Sequence, residues 1–175
     1  LTSGLAIFSK WPIKNKRFEL FEESKGFQKL ADKGIASFSV MVSENSSTQE
    51  VFFITSHWQP YVVDWKTRNE QLKQTQSIVD SIRKRKPDLP LIVLGDFNID
   101  GYRDYTNPNF NPKTESDFEY QRLLEDFADI RKDSELNTNE APIPNASTFD
   151  PTQNPNAKIG KKDKNRRKLT LDYIF

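Results

Sequence analysis

Apolar and polar residues along this 175-residue chain fall into short blocks whose spacing predicts an alternation of strands and helices. Ser3–Phe8 reads as a short buried strand that Pro12 brings to an end. Phe38, Val40 and Val42 alternate with Ser39 and Met41, the period of a half-buried strand. Ser43–Gln49 is polar and reads as a hairpin loop, and Val51–Thr55, apolar on both faces, reads as a central strand. Thr67-Arg-Asn-Glu70 fits a capping box, and Leu72, Val79 and Ile82 place one apolar face on the helix that runs from there to Lys86, closed by Pro87 and Pro90. Leu91–Leu94 is a short apolar run suited to a fully buried strand, and Tyr120, Leu123, Leu124 and Phe127 hold the i, i+3, i+4, i+7 spacing of an amphipathic helix. Asn137–Lys168 is long, polar and rich in Pro and Asn, the one linker-like stretch, before strand character returns at Leu169–Phe175. Strands alternating with helices predict an α/β or α+β class.

Composition narrows this little. The length suits a single domain with a sizeable core. The 26 basic and 25 acidic residues nearly balance, so the whole chain carries no strong field toward nucleic acid or membrane. Without cysteine there is neither a disulfide nor a cysteine-based zinc site in these residues. No apolar run reaches membrane-spanning length. A local basic run, Lys158–Lys168, sets seven Lys or Arg against Asp163. It reads first as a solvated loop and second as a contact for an anionic surface or nucleic-acid backbone. Trp11, Trp58 and Trp65 could anchor a lipid enzyme at an interface, but packing in a core or at its rim is the better reading for each.

The chemistry concentrates at strand ends. Gly95-Asp96-Phe97-Asn98 directly follows the apolar run Leu91–Leu94. Asp96 there can orient or deprotonate a water, and Asn98 can donate to charge developing on a phosphate oxygen. An Asx-type turn is the plain alternative for the same four residues. His57, the only histidine, follows another apolar strand. Asp172 sits within the apolar stretch Leu171–Phe175, where a carboxylate needs a partner. A histidine is a natural one, and such a pair favours the protonated, anion-stabilising imidazole.

Five blocks in order span nearly the whole chain: Ser9-Lys-Trp-Pro-Ile13, Ala31-Asp-Lys-Gly34, Thr55-Ser-His57 with Gln59, Gly95-Asp-Phe-Asn98 and Leu171-Asp-Tyr-Ile-Phe175. Together they resemble the endonuclease/exonuclease/phosphatase, or DNase I-like, superfamily. Within it the chain is most similar to neutral sphingomyelinases. Three features carry that narrower likeness: the Ser-Lys-Trp-Pro-Ile strand end, Asp32-Lys33-Gly34, and Ser147-Thr-Phe-Asp150-Pro151 followed by Asn154-Pro-Asn-Ala157. Arg68 with Gln71 and Leu72 fits the family's Arg-x-x-Gln-Leu helix.

The resemblance implies a four-layered α/β sandwich, of which residues 1–175 would be an internal portion of a single domain, incomplete at both ends. It implies a Mg²⁺-dependent phosphodiesterase that hydrolyses sphingomyelin to ceramide and phosphocholine by water attack on phosphorus. His57, oriented by Asp172, would stabilise the phosphoryl oxygens, Asp96 would activate the water, and Asn98 would hold the phosphate. Lys33 and Asn154 would bind substrate. No metal ligand is assigned within the chain: the family's metal-binding Glu is expected upstream of Leu1 and its Ser-Asp-His motif downstream of Phe175, so the 175 residues alone are expected to be inactive. Phe149 in place of Trp, and Ser56 and Trp58 beside His57, depart from the family pattern. The implied partner is a phospholipid at a membrane surface, ahead of nucleic acid, for a monomer that is secreted or membrane-associated. Two rivals stand beside this reading: a nuclease or inositol-phosphate phosphatase on the same fold, and a catalytically inactive binding module.

Overall fold

The computed structural model describes residues 4–44, 47–61, 64–99, 119–127 and 172–174. In chain order these form β1 (Ile13–Leu20), a 3₁₀ helix (Gly26–Leu30), β2 (Gly34–Glu44), β3 (Ser47–His57), α1 (Trp65–Arg85), β4 (Leu91–Asp96), α2 (Glu119–Asp126) and β5 (Asp172–Ile174). The five strands make one sheet in the order β1-β2-β3-β4-β5. β3 and β4 are parallel, joined through α1, and the other neighbours are antiparallel. This is a mixed sheet covered by helices, in keeping with the α/β or α+β class that the alternation of strands and helices implied. A second sheet is not among the described residues.

β3 is central because its residues are apolar on both faces. By register Ile35, Ile54 and Val93 share one face. They cluster there with Leu72, Val79 and Ile82 of α1 and with Tyr120, Leu123 and Phe127 at α2. Both apolar helix patterns read from the sequence are the buried ones. On the opposite face Phe38 stacks on Phe53 with ring centroids 5.4 Å apart. These rings, with Val40 and Leu94, line a cavity of about 380 Å³ beneath Ile7 and Trp11.

The structure corrects several boundaries. Residues 4–8 form no strand, and Phe8 is 95% exposed. Ser9 Oγ accepts from Trp11 N (3.1 Å) and donates to Trp11 O (2.8 Å), a local turn that takes up backbone groups a ladder would need. The capping box does not form: α1 starts at Trp65 behind Asp64, and Thr67 is buried inside its first turn. The hairpin loop shrinks, since β2 and β3 pair out to Glu44 and Ser47. β2 is buried on both faces, with Ser37 and Ser39 as covered as Phe38, so its alternation did not mark a wet side. In β4 only Val93 is fully buried. β1 went unread because it carries no apolar pattern. Seven of its eight residues are exposed, and its lysines suit an edge strand that must not pair with another chain.

The helical layer is tied to the sheet by one buried cation. Arg68 is 1% exposed. Its Nε donates to Glu119 Oε1 (2.8 Å) and its Nη2 to Glu119 Oε2 (2.7 Å), a two-pronged bridge from α1 to α2. Its Nη1 donates to the carbonyls of Gln59 (3.1 Å) and Tyr61 (2.5 Å). The second bond holds Tyr61 at φ 75°, a conformation few bulky residues adopt. Burial pushes the Glu119 carboxyl up from its ordinary value, against the pull of Arg68. Arg68→Met should therefore cost about 3–5 kcal/mol, because it leaves Glu119 buried without its cation. Adding Glu119→Gln should return part of that loss. Urea denaturation of the two variants checks both statements.

Candidate active site

Parallel pairing brings the C-terminal ends of β3 and β4 together, and the register sets His57 opposite Asp96. His57 Nε2 lies 3.8 Å from Asp96 Oδ2, with each side chain about one-third exposed, so the pair is open to water and to a ligand. On the other side of β4, Asp172 stands opposite Asp96 in the β5 register. His57, Asp96 and Asp172 thus form one row across three neighbouring strands, on one face and at one end of the sheet. Two strand spacings, about 10 Å, separate the backbones of His57 and Asp172. Among the described side chains, the carboxylate that meets His57 is that of Asp96; the side chain of Asp172 lies outside them.

Gly95 makes this row possible. At φ +146° its backbone runs so close to β3 that an added Cβ would sit 2.1 Å from the Ser56 carbonyl oxygen. Only glycine fits there. Ser56, a departure from the family pattern, is fully buried and donates from Oγ to the Gly34 carbonyl (2.9 Å). Beyond the strand, Asp96 Oδ1 accepts from the Asn98 backbone N–H (3.0 Å) and Asn98 adopts φ 53°. The Asx turn offered as the plain reading of Gly-Asp-Phe-Asn is therefore present. It fixes the carboxylate, committing Oδ1 to the backbone while Oδ2 points toward His57.

The Trp58 carbonyl binds the site together from the β3 side. Asn98 Nδ2 (3.0 Å) and Lys33 Nζ (2.9 Å) both donate to it, while Trp58 N donates to the Asp96 carbonyl (2.9 Å). The Trp58 ring is fully buried and tilts against Phe97 at 4.6 Å, which makes it core and not a lipid anchor. Lys33 lies 6% exposed behind the site. Burial lowers its amine to about 8 from the ordinary 10.5, and the Asp96 carboxylate opposes that fall. Lys33 is thus brought to the site as an inward-facing cation. Asn154, Asp150-Pro151 and the basic run at 158–168 lie outside the described residues.

Gln59, Arg68 and Gln71, which the sequence offered only as matches to the family pattern, form a polar scaffold beneath the site. Gln59 is 1% exposed. Its N–H donates to Gln71 Oε1 (2.9 Å), its Nε2 donates to Asp64 Oδ2 (3.0 Å), and its Oε1 accepts from Lys25 N (3.2 Å). With Arg68 these bonds hold the chain just after His57. The available signal was Arg68 and Gln71 lying beside Leu72 on the apolar stripe of α1, where unpaired polar groups would be costly.

Among the described residues no three His, Asp or Glu side chains gather as a metal-binding group. Mg²⁺ favours near-octahedral oxygen ligation, and the Asp96 carboxylate beside an imidazole does not by itself supply it. These described residues by themselves do not fit the ion.

Two predictions follow from this geometry. Gly95→Ala should destabilise the fold by more than about 2 kcal/mol, since strain and clash coincide at one backbone position; chemical denaturation measures it. The Lys33 amine should titrate near 8 by NMR of its side chain. Its folded value lies below the unfolded one, so the unfolded chain binds the extra proton between about 8 and 10.5. The stability this group contributes is full above 10.5 and is lost as pH falls through 8. Lys33→Met should abolish that rise in an unfolding-versus-pH series.

No family model matches the sequence, and no curated protein matches it. Solved structures do match. SmcL is 23% identical with a TM-score of 0.63, over 95% of this chain and 50% of that one. Sphingomyelinase C from Streptomyces griseocarneus is 22% identical with a TM-score of 0.62, over 95% and 49%. A β-hairpin deletion mutant of beta toxin from Staphylococcus aureus is 27% identical with a TM-score of 0.62, over 95% and 51%. The chain spans about half the length of these structures. It has the DNase I-like fold, and its structural homology is to members of the sphingomyelinase C type within that superfamily.

Proposed function

We propose that the protein is a phosphodiesterase that hydrolyses sphingomyelin to ceramide and phosphocholine, with His57, Asp96 and Asn98 at its reacting centre. The observation that carries this reading is the in-register pair of His57 and Asp96 at the open ends of two parallel strands, 3.8 Å apart. Asp96 holds one oxygen on the Asn98 backbone and keeps the other toward the opening. A water bound there can be aligned with phosphorus and relieved of a proton. His57, partly exposed beside it, can donate to a non-bridging phosphoryl oxygen as negative charge grows. Asn98 has one amide hydrogen on the Trp58 carbonyl and a second to offer the phosphate. Attack by the water forms the new P–O bond and breaks the bond to the ceramide oxygen. The proton for that leaving oxygen comes from a group outside the described residues.

The narrower parts of the reading rest on the resemblance to sphingomyelinases. Asp172 is proposed to orient His57, and Lys33 and Asn154 to shape recognition of the head group. Mg²⁺ is proposed as the cofactor, held through a carboxylate outside the described residues. The surface of action is proposed to be a phospholipid membrane reached from the secreted or peripheral side. No helix among the described residues is long and apolar enough to cross a membrane.

The test is an assay of the protein on sphingomyelin vesicles, plasmid DNA and a soluble inositol phosphate, each with Mg²⁺ and then with chelator. Preferential Mg²⁺-dependent release of phosphocholine is expected. Asn98→Ala should cost on the order of 10²-fold or more in rate, as removal of an oxyanion donor does, and Asp96→Ala at least as much. Nicking of DNA without sphingomyelin turnover would move the protein to the nuclease reading. Loss of no activity in either variant would remove the site assignment itself.

A further inference from the structure

A second concave surface lies on the helical face, away from the His57 row. It is a groove of about 410 Å³ between edge strand β1 and helix α1. Both of its ends are closed by polar bridges. Toward the active-site end, Gln74 of α1 donates to the Leu20 carbonyl (2.9 Å) and accepts from Glu22 N (3.3 Å). At the far end Glu50 draws three groups together: Lys86 Nζ at 2.6 Å, Asn15 Nδ2 at 3.1 Å and, through that amide, Ser39 Oγ at 2.9 Å. The floor is Ser37 and Phe52 of the sheet.

The walls are cationic. Arg17 comes from β1, where it pairs in register with buried Ser37, and Arg85 comes from the last turn of α1. Lys16 and Lys86 join them, against Glu19 as the one carboxylate in the lining. Glu50 neutralises Lys86 alone. Among the described residues no carboxylate pairs with Lys16, Arg17 or Arg85; Arg85 Nε donates instead to the Ser81 carbonyl (3.0 Å). Ser37, Ser77 and Ser81 line the same space.

Ordinary structural reasons account for part of this. Cations suit the negative end of a helix, and lysines protect an edge strand. Neither reason requires a guanidinium from each element to converge on one walled groove lined with hydroxyls. Guanidinium forks and hydroxyl donors are the groups that bind phosphate oxygens with directional, charge-assisted bonds. The volume falls within the roughly 300–1,000 Å³ common for small-ligand sites.

We propose that the groove between β1 and α1 binds a phosphate-bearing anion through Arg17 and Arg85, with the serine hydroxyls of its floor and wall completing the contacts. The site is separate from the row at the ends of β3 and β4, and the proposal does not depend on the phosphodiesterase reading. The same chemistry could be met by a free phosphate or phosphate monoester, or by the monoester head group of an anionic lipid.

The experiment is calorimetric titration of the 175-residue chain with inorganic phosphate, at ionic strength held constant with chloride. One saturable site with a millimolar or tighter dissociation constant is expected. Arg17→Gln and Arg85→Gln should each weaken it about tenfold or more, the equivalent of losing one charge-assisted contact. Lys10→Gln, which removes a cation placed over the Trp11 ring away from the groove, should leave it unchanged. Arg17 and Arg85 are exposed, so both variants should keep the parent's circular dichroism and remain readable. Co-sedimentation with phosphatidylcholine vesicles, with and without phosphatidic acid, separates the two sources. Acid-dependent sedimentation lost in the arginine variants names the lipid head group, and its absence beside phosphate binding names the free anion. No saturable phosphate binding above the chloride control, or equal affinity in the wild type and both arginine variants, overturns the proposal.

Discussion

His57 and Asp96 meet because β3 and β4 run parallel with a fixed register, and everything at the site hangs on that pairing. Parallel strands cannot be joined by a tight turn; they need a crossover, which α1 supplies. A slip of one residue would send Asp96 to the helical face and Phe97 toward His57. Two features prevent it. Gly95 admits the Ser56 carbonyl where any Cβ would collide, and Trp58 continues the ladder by donating to the Asp96 carbonyl.

The crossover is itself held by polar groups buried where apolar ones would be expected. Arg68, Gln71 and Gln59 lie at the junction of α1, α2 and the chain after His57, each about 1% exposed. Their hydrogen bonds use backbone carbonyls and amides that the irregular segment 58–61 would otherwise leave unsatisfied. A wholly apolar junction could bury as much surface but could not fix Tyr61 at positive φ or set the exit of β3. The chemistry of the sheet end and the polar core beneath it are one construction, with Trp58 as the shared member.

The two faces of the sheet divide the remaining surface by charge. The face opposite the helices presents Phe38, Val40 and Phe53 under a loosely laid N-terminal segment, with Phe8 outermost. The helical face ends at its β1 edge in the cationic groove. The His57 row lies on the face opposite the helices, at the strand ends, where side chains reach the rim and water has access.

Part of this was legible in the sequence, and the reason is local. Apolar periodicity marks buried faces regardless of partner, so Leu72, Val79, Ile82, Tyr120 and Leu123 could be placed as core from spacing alone. The continuous apolar run at Val51–Thr55 likewise implied a strand covered on both sides. Gly95-Asp-Phe-Asn98 announced a tight strand end, because glycine and αL-tolerant Asn are what such a turn demands. Other features belonged to tertiary structure. β1 is held by backbone pairing to β2 and carries no apolar signal, so composition could not reveal it. Residues 4–8 look like a strand but find no ladder, since pairing needs a partner that spacing does not specify. Thr67 resembles a cap, yet the helix begins earlier because Asp64 is held at its start by the Gln59 and Tyr61 contacts. That Asp96 stands beside His57 was decided by strand order, a property of the sheet that no single stretch of sequence contains.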